Sequence, residues 1–282
     1  MKYVALIFDI IESRNYKNRY EVQKFMVKST EYLNVVYKSE IKKEVVVNSG
    51  DEFQGLFNNL QTAFLYIRKL QLLIYPVKIR CGIGYGEIMY DDEEWKSSGI
   101  EGEAYHSARE AINFVKKRKN NIIVFNTESE YDRYLNVLCA ASAGIKTGQS
   151  QMVRLIELIA DVILPITPIV EIRKFYDYIL ENRIKLIKEE NWNRVIGKFR
   201  EIEEEKINLK HLFEMIKPVE SKNSFKKMFC VEDYWLHGMS TNIAQVMNTT
   251  RQNIDRYVHS GKIKESRTID KAIYEMLGEK IW

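Results

Sequence analysis

Asn48-Ser49-Gly50-Asp51-Glu52-Phe53-Gln54-Gly55-Leu56-Phe57 decides how the first half of this chain is read. An apolar run, Val45-Val46-Val47, precedes it, and a second run follows from Phe53 to Phe57. Between the runs stand a glycine and two adjacent carboxylates, which reads as strand, tight turn, strand with acids at the hairpin tip. Gly50 supplies the backbone angles that a sharp turn needs. A solvated tip would also use Asp and Gly. A divalent-metal site would instead need a second carboxylate from another part of the chain.

Residues 3–11 offer that partner. The run is apolar except for Asp9 and reads as a short buried strand. An aspartate near the end of such a strand is costly unless it is paired, bound to a cation or used as a helix cap. A loop through Ser13 and Arg14 follows, and residues 20–39 have helical periodicity. After the hairpin come an amphipathic helix over residues 62–75, a glycine-rich strand over 77–88, an acidic loop over 90–99, a helix over 101–119 and a short strand over 122–125. This alternation predicts a sheet with helices on one or both faces. The three glycines Gly82, Gly84 and Gly86 mark a place where something approaches the strand closely.

Composition sets the outer bounds. The chain has 282 residues, 45% hydrophobic and 29% charged, with a formal charge of +4, as expected of an ordered globular protein with one large domain or two ordinary ones. Cys81, Cys139 and Cys230 are scattered and odd in number, which suggests neither a disulfide framework nor a zinc site. The first apolar run meets Asp9 too early for a secretory signal, and no segment has the length of a membrane span. Those readings predict a cytoplasmic location and no membrane partner.

Four motifs in order carry a family resemblance: Asp9-Ile10-Ile11-Glu12-Ser13-Arg14, Gly50-Asp51-Glu52-Phe53-Gln54-Gly55, Arg80 to Ile88, and Gly102-Glu103-Ala104-Tyr105-His106-Ser107-Ala108-Arg109. Together they resemble the SatD family and, more distantly, class III nucleotide cyclases and GGDEF domains, over roughly the first 125 residues. The resemblance implies an α+β fold, with a ferredoxin-like palm of antiparallel sheet and helices over residues 1–142. It implies metal ligands at Asp9 and Asp51, with Glu52 a weaker third and the Ile10 carbonyl a backbone ligand. All are oxygen donors, which suit Mg²⁺ or Mn²⁺, including a two-metal site. It also implies nucleotide contacts from Ile10, Ile11, Ser13, Arg14 and Gly50, and catalytic roles for Asp9, Asp51 and Arg109. The cyclase pattern has an asparagine where Tyr105 stands, and its base-selecting residues are absent from Val45-Val46-Val47-Asn48. The partner implied is a nucleoside triphosphate or other nucleotide, within a homodimer.

The texture changes after Asn126. Residues 131–142 look helical, 143–150 read as a linker, 151–216 as a helical connecting region and 217–282 as a helix-turn-helix domain. The dense run Leu155, Ile156, Leu158, Ile159 reads as a core helix, and residues 201–206 as a solvated charge run. Ser240 to Met247 reads as a short capped helix, Asn248-Thr249-Thr250 as a turn, and a second helix runs from Arg251 to Val258. Ala244, Asn248 and Ile254 have helix-turn-helix spacing. Thr249, Thr250, Arg251, Gln252 and Asn253 would then open a recognition helix on double-stranded DNA, with Arg256, Lys262, Lys264 and Arg267 adding phosphate contacts. These readings combine into a SatD-like regulator with a Mg-dependent nucleotide-binding palm and a DNA-binding module. The alternatives are an active nucleotidyl cyclase or nucleotidyltransferase, and a DNA-binding or scaffold protein with an inert palm.

Overall fold

The computed structural model describes residues 1–89, 101–117, 123–167, 172–189, 207–215 and 234–279. The acidic loop of residues 90–99, the charge run of residues 201–206 and Cys230 lie outside the described residues. The chain divides into two compact units, Met1–Gly144 with Ile273–Trp282, and Ile145–Ala272.

The first unit is α+β. Its elements run β1 (Lys2–Ile10), α1 (Arg19–Val36), β2 (Ile41–Ser49), β3 (Glu52–Phe57), α2 (Leu60–Leu73), β4 (Ile79–Glu87), α3 (Glu103–Lys117), β5 (Ile123–Asn126) and the start of α4 (Asp132–Thr147). The five strands lie in the order β2-β3-β1-β4-β5. β1 is antiparallel to both neighbours, β3 and β4, while β5 joins parallel to β4. Each helix between β1 and β2, and between β3 and β4, therefore crosses over an intervening antiparallel strand, which is the split β-α-β pattern.

β1 is buried from Tyr3 through Ile10 because both of its faces are covered. Alternate residues face opposite sides. Tyr3, Ala5 and Ile7 form a cluster with Leu56 of β3 and Ala104, Tyr105, Ala108 and Ile112 of α3. On the other parity, Phe8 stacks on its cross-strand neighbour Phe53, with ring centroids 5.1 Å apart. The glycine-rich strand is explained by α3. A Cβ on Gly84 would lie 2.3 Å from both the Ala104 carbonyl and the Ala108 amide, and one on Gly82 would lie 2.3 Å from the Ala108 carbonyl. What approaches this strand is the backbone of α3, so the glycines are there for packing.

The second unit is helical, with α5 (Gln151–Ile163), α6 (Arg173–Glu189), α7 (Leu209–Met215), α8 (Met239–Val246), α9 (Arg251–Ser260) and most of α10 (Ile263–Leu277). α5 is buried almost all round and is a core helix. Its charges are buried in pairs. Arg154 binds Glu157 at 2.6 Å, Glu157 also accepts from Ser266 Oγ, and Asp161 faces Arg267 at 3.6 Å. Lys146 binds Asp270 at 2.7 Å. Two expectations are corrected here. The stretch expected as a linker from residue 143 is helical as far as Thr147, because α4 continues through it. Arg267 is fully buried and donates to the Leu164 carbonyl, so it offers nothing to an external phosphate.

Cys81 and Cys139 are buried free thiols, and burial pushes the Cys81 thiol well above its ordinary pKa. Among the described residues no helix is long and apolar enough to cross a membrane.

Candidate functional site

The hairpin closes with a two-residue turn, Gly50-Asp51, and Gly50 has φ +60°. The pairing of Ser49 with Glu52 makes Glu52 the first residue of β3 and leaves Asp51 in the turn. Gln23 of α1 donates to the Gly50 carbonyl at 3.0 Å and holds the tip. This register decides which acid meets Asp9. Glu52 is the cross-strand partner of Asp9 on one side, and Arg80 is its partner on the other. Glu52, Asp9 and Arg80 thus form one row across three strands, on the face that carries Ile7 and Gly82 two residues along. Asp51 is half-exposed and has no hydrogen bond or ion pair among the described residues.

α3 lies over that face and brings two more cations to the row. Arg109 donates to both oxygens of Glu52, with Nη2 2.8 Å from Oε1. Lys116, seven residues on and so on the same side of the helix, lies 3.0 Å from Oδ2 of Asp9. Arg80 Nε donates to Oδ1 of Asp9 at 2.6 Å. Asn48 adds a bond to Glu52 Oε1 at 3.0 Å. Burial pushes the Glu52 pKa up, but the Arg109 and Asn48 hydrogen bonds and the nearby charges of Arg109 and Lys116 outweigh it, so the net shift is downward.

The loop after β1 is placed beside this row by the chain itself. Ile10 is the last residue of β1 and is buried. The Ile11 amide donates to the Lys78 carbonyl at 2.8 Å, which takes it away from any phosphate. Glu12 has φ +53° and opens a single 3-10 turn through Ser13 and Arg14. The amides of Ser13 and Arg14 have no backbone partner among the described residues, and the Arg14 side chain is exposed.

The row thus brings together Asp9, Glu52 and Arg109, and leaves Asp51 one residue outside it. Lys116 is an addition from outside the motifs, and Arg80 opens the third of them without having been given a role there. Their signal was parity and period: Arg80 shares the parity of the glycine ladder, and Lys116 the helical face of Arg109. Among the described residues there is no group of three or more His, Cys, Asp or Glu side chains able to hold a metal ion.

In the second unit, Asn248 takes φ +46° between α8 and α9, and Ala244, Ile243, Met247 and Ile254 are buried around the crossing. Thr250 caps α9 by accepting from the Asn253 amide, and Thr249 accepts from the Asn253 side chain at 3.2 Å. Arg251, Gln252 and Arg256 are exposed. Arg251 pairs with Asp255 at 3.3 Å, and Arg256 donates to Asn253 at 2.7 Å. The helix expected from Ser240 starts at Met239, with Gly238 in the cap position and no side-chain cap.

Two solved structures are similar in part, both titled as a bacterial light-regulated adenylyl cyclase. The first is 15% identical with a TM-score of 0.33, over 44% of this chain and 42% of that one, so the match spans less than half of it. The second is 14% identical with a TM-score of 0.31, over 44% of this chain and 74% of that one. Likenesses at this level carry no argument about the site. No curated protein matches the chain. The model of the SatD family matches residues 3–165, more than half of the sequence, and the chain belongs to the SatD family.

Proposed function

We propose that the first unit is a cyclase-like palm that binds a nucleoside triphosphate with Mg²⁺ or Mn²⁺, and that the protein is a regulator whose second unit binds DNA. The observation that carries the palm half is the row Glu52–Asp9–Arg80 beneath Arg109 and Lys116. Two carboxylates held among three cations are poorly suited to a bare divalent ion, which would add to an existing positive excess. They suit a divalent ion that arrives with a polyphosphate, because the phosphates take the cations as the carboxylates take the metal. On that balance the residues fit the group. Asp9 and Glu52 would hold the metal, with Asp51 within one residue of them, and Arg80, Arg109 and Lys116 would take phosphate oxygens. The amides of Ser13 and Arg14 and the Arg14 guanidinium would extend the phosphate side. When bound, the metal supplies charge neutralisation at the phosphates.

Calorimetric titration with ATP and GTP, with and without Mg²⁺, tests this. Binding should need metal and nucleotide together. Asp9→Asn should weaken it at least about tenfold, a loss of about 1.4 kcal/mol. No heat with any nucleotide in the presence of metal would remove the palm half. The closed ion pairs favour a second reading, an inert palm whose carboxylates are satisfied internally, and that result would establish it. Incubation with each nucleoside triphosphate and Mn²⁺, followed by chromatography, separates binding from turnover as a cyclase or nucleotidyltransferase.

The DNA half rests on the turn at Asn248, on the exposed Arg251 and Gln252 at the start of α9 and on the exposed Arg256 about one and a half turns along it. Asp255 already neutralises Arg251, so Arg256 should be the stronger phosphate contact. Arg256→Ala should lower the slope of log affinity against log salt by about 0.9. Absence of retention on any duplex would remove this half.

A further inference from the structure

A cavity of about 220 Å³ opens at the start of α8, lined by Trp235, His237, Ser240, Thr241, Arg251 and Lys264 among others. That is below the roughly 300 Å³ at which sites for drug-sized organic ligands begin. Its walls are polar. Lys264 is exposed and lies over the Trp235 ring, 6.0 Å from its centroid. Arg251 carries its ion pair to Asp255, which also lines the cavity, so the carboxylate there is already neutralised.

Three donors facing this cavity, the Ser240 and Thr241 amides and the Ser240 hydroxyl, have no acceptor among the described residues. Gly238 in the cap position has φ +82° and offers no side chain. The Met239 and Asn242 amides are bound to the Leu236 and Gly238 carbonyls, whereas those of Ser240 and Thr241 have no backbone partner among the described residues. Ser240 is only 7% exposed, lines the cavity, and its hydroxyl has no hydrogen bond among the described residues. The residue is covered except where its hydroxyl is reached from the cavity, so an acceptor for that hydroxyl comes from the cavity side. Two free amides at a helix start, an open serine hydroxyl and the Lys264 ammonium all ask for the same ligand, an anion with several oxygens.

We infer that the start of α8 is a binding pocket for a phosphate-type oxyanion, held by the Ser240 and Thr241 amides, the Ser240 hydroxyl and Lys264. The oxyanion is a backbone phosphate of DNA or a free phosphate group, and the pocket chemistry is the same for both. The inference deepens the DNA reading in the first case and stands without it in the second.

The test uses the full-length protein. Its amide spectrum is recorded during titration with inorganic phosphate against chloride at matched ionic strength, and duplex DNA affinity is measured separately. The Ser240 and Thr241 amides should shift and saturate with phosphate, and Ser240→Ala and Lys264→Met should each weaken phosphate about tenfold. If both variants also weaken DNA, the oxyanion is a backbone phosphate. If DNA binding is absent or unchanged while phosphate binding falls, the pocket serves a free phosphate. Ser240 and Thr241 amides that stay unmoved by phosphate in the wild-type protein would overturn the inference, whatever the DNA result. That readout needs no variant to fold.

Discussion

The α5 helix and the Glu52–Asp9–Arg80 row both hold carboxylates against cations, but they differ in which member of the pair faces water. In the α5 pairs of the second unit both members are sealed: the Arg154 side chain is 5% exposed and Glu157 0%, and Arg267 and Asp161 are alike. In the Glu52–Asp9 row of the first unit only the acids are covered. Asp9 is 6% exposed and Glu52 14%, while their cations Arg80, Lys116 and Arg109 stand at 26%, 35% and 39%. A sealed pair has no other partner available and works as part of the core. A cation with its head in water can exchange a carboxylate for a phosphate without first breaking open the fold. The comparison therefore separates ion pairs that hold structure from ion pairs that are available for binding.

The largest expected effect comes from breaking a sealed pair. Glu157→Ala leaves Arg154 buried without the Glu157 carboxylate and Ser266 Oγ with the Ile263 carbonyl alone as acceptor. Loss of one partner of a buried pair costs about 3–5 kcal/mol. Denaturant unfolding of the variant should show that loss. A loss of under about 1 kcal/mol would mean that the α5 pair is solvated like a surface one. Nucleotide binding by the first unit should be unaffected if the distinction holds.

A smaller effect, with a functional consequence, should follow from Gly84→Ala. The new methyl would meet the Ala104 carbonyl and the Ala108 amide, and neither backbone group can swing aside as a side chain would. Overpacking of this kind costs about 1–3 kcal/mol. Because α3 must move to make room, Arg109 and Lys116 move with it. Metal-dependent nucleotide affinity should fall in the same variant even though residue 84 touches no site residue. Unchanged affinity beside lowered stability would separate the packing of α3 from the site.

How much of this was legible in the sequence follows from the same geometry. The strands, the hairpin and the helices of the first unit could be read because period 2 and period 3.6 are local properties of the chain. The glycine ladder was legible as a close approach, though not as an approach by α3. The partner of Asp9 was harder. A two-residue turn puts Gly50 and Asp51 at the tip and Glu52 on the strand, and moving the turn by one residue would exchange the faces. The motif GDEF does not state which register applies, whereas the pairing of Ser49 with Glu52 does. Arg80 and Lys116 were missed because their partners are distant in sequence. Arg267 was misread as a surface cation among Lys262 and Lys264. Its buried helical neighbours Ile263, Ser266, Asp270 and Ile273 fall at spacings that put it on the inner face of α10.

The smallest effect concerns Glu52 and is read through pH. Its folded pKa lies below the ordinary glutamate value of 4.5, because Arg109 and Asn48 hold the charged form more strongly than burial opposes it. A carboxylate with a depressed folded pKa contributes stability that is fully present above its unfolded pKa. That contribution is lost as pH falls through the folded pKa. Stability of the first unit should thus fall as pH drops below about 4.5, and part of that slope should disappear in Glu52→Gln, which keeps the shape but cannot ionise. The Arg109 head is more than a third exposed, so solvent screening keeps the difference modest and salt should shrink it further. The sealed pair in α5 provides the contrast, since salt should leave its contribution nearly unchanged. Equal salt sensitivity of Glu52→Gln and Glu157→Ala would erase the distinction between the two units. A pH slope that vanishes in Glu52→Gln and fades with salt would show that the Glu52–Arg109 pair is open to exchange.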